Sequence, residues 1–135
     1  MKPNFRNSRA LRAALVVDDD EANRKLISSI LQRERFLTTW ASNGAEAIAA
    51  LGRSDFSVIV LDLVMPEVNG QEVIRHLRQT RPDMLRRVIV LTALSEIDVP
   101  PELVFQVIRK PFEFRKFVAV ICECAEQSVL ETESA

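Results

Sequence analysis

VIVLDLVMPEVNG, residues 58–70, opens with four aliphatic residues in a row, breaks at a single carboxylate and closes on Asn-Gly. A strand with one wet face alternates apolar with polar residues. One that is apolar throughout is covered on both faces, as in a parallel sheet between two helical layers. The pattern recurs at residues 15–17 and 88–91, and weaker β-like pieces lie at 37–41 and 105–108. Between these runs apolar residues return at helical spacing. The stripes are Ala22, Leu26, Ile27, Ile30 and Leu31; Ala47, Ile48 and Leu51; Val73, Ile74 and Leu77; and Phe114, Phe117, Val118, Ile121 and Ala125. Asn43-Gly44 and Asn69-Gly70 punctuate two strand-to-helix junctions. The alternation predicts a doubly wound α/β domain with a five-stranded parallel sheet. In such sheets ligands bind beyond the carboxyl ends of the strands, near the switch in strand order, so those ends are where chemistry is to be sought.

Length and charge bound the possibilities. A chain of 135 residues is large enough for one core without disulfides or a structural metal. With 18 Lys+Arg against 19 Asp+Glu, no overall field directs it to nucleic acid or an anionic membrane. Lys2, Arg6, Arg9 and Arg12 cluster at the start, but the apolar run 13–17 is too short for a signal-peptide core or a membrane span. A cytoplasmic location is therefore expected, with no direct contact to nucleic acid or membrane. Residues 1–12 read as a basic N-terminal tail, 13–127 as the folded domain, and 128–135 as a C-terminal tail or the end of the last helix. Cys122 and Cys124 are too close to bridge within one helix and lack metal-ligand spacing, so reduced, packed thiols are expected. His76 reads as a solvated surface residue, and Trp40 as packing at a strand edge.

Polar residues gather at the strand ends. Asp18, Asp19 and Asp20 follow the first strand, Asp62 closes the third, Thr92 closes the fourth and Lys110 follows the fifth. Two carboxylates about 4 Å apart repel by about 4 kcal/mol at an effective dielectric of 20, so a positive group belongs among them. Asp20 reads as the N-cap of the first helix. The remaining carboxylates are hard oxygen donors suited to Mg²⁺, which keeps several waters and is commonly completed by a phosphate. Lys offers a compact cation and Thr a hydroxyl donor, and both suit phosphoryl oxygens.

The acidic pair in VVDDDEANR, the Asp-x-x-Met-Pro-x-x-x-Gly spacing of LDLVMPEVNG, Thr92-Ala93 and Lys110-Pro111-Phe112 occur in order. With them the chain resembles the receiver domain of two-component response regulators, a flavodoxin-like fold, over roughly residues 13–127. The resemblance implies that Asp62 accepts a phosphoryl group from a phosphohistidine on a sensor histidine kinase or a histidine phosphotransfer protein. It implies Asp19 as a direct Mg²⁺ ligand, Asp18 as one acting mainly through water, and the backbone carbonyl of Val64 as a further ligand beside Asp62. Thr92 and Lys110 correspond to the groups that hold the phosphoryl oxygens, and the Lys110-Pro111 bond is expected to be cis. Such a chain is a signalling receiver that catalyses only its own phosphorylation and slow autodephosphorylation. Val64 and Leu94 stand where the family borders the path of the hydrolytic water, and neither can orient a water. A long-lived phospho-form is the expectation.

The interval from Thr92 to Lys110 is short by the standard of that family, and Pro100 and Pro101 break its middle. Pro101 can open a helix, but only about one turn fits before the last strand, so a short or vestigial fourth helix is expected. Val107 occupies the place of the family's switch aromatic. Phe105, two residues before it and on the same face of a strand, is the other switch candidate. Other classes fit poorly. An aspartyl phosphatase calls for Asp-x-Asp, where position 64 is Val, and a flavin or P-loop site calls for glycines that DDDEANR lacks. The second reading is an adaptor that keeps the fold and binds its partner whatever its phosphorylation state. The chain offers a stand-alone receiver or one cut from a larger regulator or hybrid kinase, monomeric or weakly dimeric, with an output partner the residues leave open.

Overall fold

The computed structural model describes residues 12–65 and 68–134, with side chains through residue 127. The tail expected at residues 1–12 therefore lies outside the described residues, Arg12 excepted, as does Pro66 of the Met-Pro motif. In chain order the elements are β1 (Ala13–Val17), α1 (Glu21–Arg33), β2 (Leu37–Ala41), α2 (Gly44–Arg53), β3 (Val58–Leu61) and α3 (Gly70–Thr80). There follow a four-residue helix α4 (Pro82–Leu85), β4 (Val88–Thr92), a 3₁₀ turn (Pro101–Leu103), β5 (Gln106–Arg109) and α5 (Phe114–Ser134). The five strands form one parallel sheet in the order β2-β1-β3-β4-β5. This is the doubly wound fold predicted, with its switch in strand order at β1 and β3.

Period-two alternation splits the central strands between two layers. Leu15, Val17, Ile59, Leu61, Val88 and Val90 pack with α2 and α3, while Ala14, Val16, Val58, Val60, Ile89 and Leu91 pack with α1 and α5. β2 is an edge strand with only Ala41 buried, which is why its sequence is less uniformly apolar. The junction asparagines work as caps. Asn43 Oδ1 accepts from the Glu46 N–H at 2.8 Å, and Asn69 forms a reciprocal capping box with Glu72, both bonds at 3.0 Å. Asp20 caps α1 through the Asn23 N–H, as expected.

Several expectations need correction. Ala22, Leu26 and Phe114 are exposed, whereas Ile27, Ile30 and Leu31 of α1, and Phe117, Val120, Ile121, Cys124 and Ala125 of α5, are buried against the sheet. The last strand begins at Gln106, one residue later than expected. Phe105 sits in the bend before it and packs toward α1 and α5, whereas Val107 packs toward α2 and α3, so the two do not share a face. α4 lies where no helix was predicted, its four residues being too few for an apolar stripe to repeat. The helix expected to be vestigial is the single 3₁₀ turn, with Pro101 at its first position. His76 is half-buried; Cys124 is buried and Cys122 half-buried. The backbone of α5 stays helical through Ser134. Among the described residues, no helix is long and apolar enough to cross a membrane.

Candidate functional site

Register brings the polar strand ends together. Val17 pairs with Leu61, so the next residues, Asp18 and Asp62, leave neighbouring strands side by side. Thr92 pairs with Arg109, which sets Lys110 at the end of the last strand, where its N–H bonds the Thr92 carbonyl at 2.9 Å. Parallel strands run about 4.8 Å apart, so adjacent carboxylates in this register must repel unless a cation intervenes. Lys110 is that cation. Its Nζ lies 3.3 Å from Asp18 Oδ2 and 3.4 Å from Asp62 Oδ2. Asp18 and Asp62 are buried while Asp19 is exposed, and one carboxylate oxygen from each of the three lies within 4.8 Å of the others.

Main-chain groups hold these side chains in place. The Asp20 N–H donates to Asp18 Oδ1 at 2.9 Å, and the Val64 N–H donates to Asp62 Oδ1 at 3.2 Å. Burial pushes the Asp62 carboxyl above its usual range and the neighbouring Asp18 adds to this, while the Val64 N–H and Lys110 act against it. Thr92 is fully buried, and its Oγ1 accepts from the Leu94 N–H at 3.3 Å. The Lys110-Pro111 bond is cis. All of Asp18, Asp19, Asp62, Thr92 and Lys110 thus lie at one end of the sheet. Val64 and Leu94 stand beside them, bonded to Asp62 and Thr92 through their backbones. Val107, near the start of β5, and Phe105, in the bend before it, lie away from this end of the sheet and line a hollow of about 540 Å³ with Ile97, Val99 and Pro101.

The donor set is all oxygen, with three carboxylates and a lysine already bridging two of them. Hard divalent cations such as Mg²⁺ fit it, whereas a thiophilic or imidazole-seeking metal does not. One residue of the site escaped the reading of the sequence. Arg24, on the first turns of α1, donates from a guanidinium nitrogen to the Asp18 carbonyl at 2.9 Å. A cation that close to a helix N-terminus opposes the helix dipole, and that mismatch after three aspartates was the available signal.

A carboxylate cluster and a lysine at the switch point of a doubly wound sheet define a flavodoxin-like α/β protein with an acidic cleft. Comparison with known proteins narrows the class. Residues 14–122 match the family model of the response regulator receiver domain. The response regulator receiver protein CpdR of Brucella abortus is 28% identical over 112 residues, covering 80% of this chain and 92% of that one. The uncharacterized transcriptional regulatory protein YkoG of Bacillus subtilis is 32% identical over 126 residues, 88% of this chain. The chain spans 53% of the length of YkoG. Among solved structures, the response regulator TrrA of Thermotoga maritima in complex with Mg²⁺-BeF is 28% identical with a TM-score of 0.76, covering 84% of this chain and 99% of that one. The signal receiver domain of a LuxO repressor protein from Vibrio parahaemolyticus has a TM-score of 0.82 at 23% identity, over 92% of this chain and 97% of that one, a likeness of fold. The chain belongs to the response regulator receiver domains of two-component systems. Domains of this family are phosphoacceptor signalling modules that bind Mg²⁺ at the acidic pocket, receive phosphoryl groups from histidine kinases and act on output partners.

Proposed function

We propose that this receiver takes a phosphoryl group from a phosphohistidine, on a sensor histidine kinase or a histidine phosphotransfer protein, onto the carboxylate of Asp62. The observation that carries the reading is Lys110 Nζ, 3.3 Å from Asp18 and 3.4 Å from Asp62, joining the ends of three strands. In the transfer an Asp62 oxygen forms the new bond to phosphorus as the phosphorus–nitrogen bond breaks, and the imidazole leaves with the electron pair and takes up a proton. Such a transition state needs charge neutralisation and in-line positioning more than covalent help. Lys110 supplies one positive charge at the acceptor and the Thr92 hydroxyl a donor to a phosphoryl oxygen. The Val64 N–H fixes the plane of the Asp62 carboxylate. Asp18, Asp19, Asp62 and the carbonyl of Val64 would hold Mg²⁺, which when bound neutralises the remaining phosphoryl charge. The phospho-form then alters how the domain meets its output partner, and its loss is slow.

Intact mass after incubation with acetyl phosphate, with and without Mg²⁺, tests this beside Asp62→Asn. A single Mg²⁺-dependent phosphoryl adduct is expected on the parent chain and none on the variant; an adduct retained by the asparagine variant would overturn the assignment. One observation favours a second reading, the adaptor indifferent to phosphorylation: a single 3₁₀ turn takes the place of a crossover helix between β4 and β5. A partner affinity unmoved by beryllofluoride would favour it, since a ligand shifts an equilibrium only by its differential affinity for the two states.

A further inference from the structure

We infer that Arg24 is a positioning residue for the acidic cleft, and that it links the cleft to Trp40 on the edge strand. The inference rests on the reading of Asp18 and Asp19 as holding Mg²⁺. Arg24 makes two contacts that bear on the cleft. One guanidinium nitrogen donates to the carbonyl of Asp18 at 2.9 Å, and the guanidinium carbon lies 5.7 Å from the centre of the Trp40 ring. That separation is within range of a cation–π contact.

Asp18 is held at four points, one of them the Lys110 ammonium at its carboxylate. Its N–H donates to the Ala41 carbonyl at 3.1 Å, its carbonyl accepts from Arg24, and its carboxylate accepts the Asp20 N–H at 2.9 Å. The first and third of these are made within the loop and the sheet and Lys110 belongs to the cleft itself, whereas the second comes from a side chain behind the cleft that a substitution can remove. Without it the peptide between Asp18 and Asp19 loses the partner of its carbonyl, and the exposed Asp19 carboxylate that follows is less firmly oriented. Groups behind a ligand that fix its orientation are commonly worth ten- to a hundred-fold in metal affinity.

Trp40 accounts for why this residue is Arg. A planar guanidinium can stack on the indole while still donating in its plane, whereas an ammonium holds the carbonyl as a point donor with no flat face to stack. Arg24 also sits near Glu46 of α2, whose carboxylate lies below its usual range chiefly through hydrogen bonds from Ser42, with Arg24 a smaller contributor. Trp40 is the only tryptophan and the chain has no tyrosine, so its emission is a native report on this contact.

The test is Mg²⁺ titration of the full chain by calorimetry and by Trp40 fluorescence, for the parent, Arg24→Ala, Arg24→Lys and Asp19→Ala. Arg24→Ala is expected to weaken Mg²⁺ binding by roughly ten-fold, with Arg24→Lys intermediate. Mg²⁺ should move the Trp40 emission of the parent and leave that of Arg24→Ala unchanged. Arg24→Ala that melts earlier yet binds Mg²⁺ as the parent does would reduce Arg24 to a structural residue and overturn the inference. Should Arg24→Ala fail to fold, Trp40→Phe and Trp40→Leu decide: binding preserved by Phe and weakened by Leu supports the stacking role, and equal binding by both overturns it. Failure of the parent to bind Mg²⁺ would overturn the metal reading itself, and the role of Arg24 with it.

Discussion

Val64 and Leu94 bring aliphatic side chains to a cleft otherwise built of charge. They are 52% and 36% exposed, although their backbone N–H groups bond Asp62 Oδ1 and Thr92 Oγ1. Each is anchored to the site by its main chain and turns a group toward solvent that can neither donate nor accept. Hydrolysis of an acyl phosphate needs a water held in line with the carboxylate oxygen, and nothing on these two side chains can hold it. Val64→Asn and Leu94→Glu are each expected to speed decay of the phospho-form, by roughly ten-fold if one ordered water contributes about 1.4 kcal/mol to the barrier. Following the phosphoryl adduct by intact mass over time measures this, and decay unchanged in both variants would assign them to packing. Their positions were legible through the resemblance to receiver domains, which singles out the residues two beyond Asp62 and two beyond Thr92. Their main-chain bonds were not, because every residue except proline carries an N–H and the sequence does not say where it points.

The β3–α3 connection carries Asp62, the proposed acceptor, and the first residue of α3 sets how closely that helix approaches it. A Cβ on Gly70 would lie 2.5 Å from the Asp62 carbonyl oxygen and 2.7 Å from the Leu63 Cα, both backbone atoms that cannot swing aside. Gly70→Ala should therefore push α3 away from the acceptor loop, costing about 1–3 kcal/mol as overpacking does, and slow phosphorylation as well. Asn69→Ala removes only the capping box and should cost about 1 kcal/mol with phosphorylation little changed. Urea unfolding beside acetyl phosphate labelling separates the two, and equal labelling by both variants would place Gly70 among ordinary packing residues. The same connection explains how much could be read beforehand. Asn-Gly marked the junction, and uninterrupted apolar strands marked a sheet covered on both faces. The helical stripe of α1 misled at Ala22 and Leu26, because spacing defines an arc wider than the part the sheet covers. Phe105 misled for another reason: two-residue periodicity holds only inside a strand, and β5 starts one residue after it.

At the scale of the molecule, the acidic cleft has an apolar neighbour. A hollow of about 370 Å³ lies between the start of α5 and α1, lined by Leu26, Ile30, Pro111, Phe112 and Phe114, and Lys110 is among its walls. Leu26 is 52% exposed and Phe114 48%, and both line this hollow. Lys110 belongs to both the hollow and the cleft, so a protein that presents a phosphohistidine to Asp62 has this apolar rim directly in its path. Acetyl phosphate needs the cleft alone. Leu26→Asp and Phe114→Asp should therefore lower the rate of transfer from a phosphorylated histidine phosphotransfer protein that labels the parent chain, while labelling by acetyl phosphate stays at the parental rate. Because both side chains are already largely in solvent, neither change should cost much stability. Equal transfer from the protein donor would remove the hollow from the recognition surface, and a matching loss with both donors would place the damage in the cleft. The selective loss is the expected result, since in the proposed mechanism the two donors share the chemistry at Asp62 and differ only in the surface they bring to it.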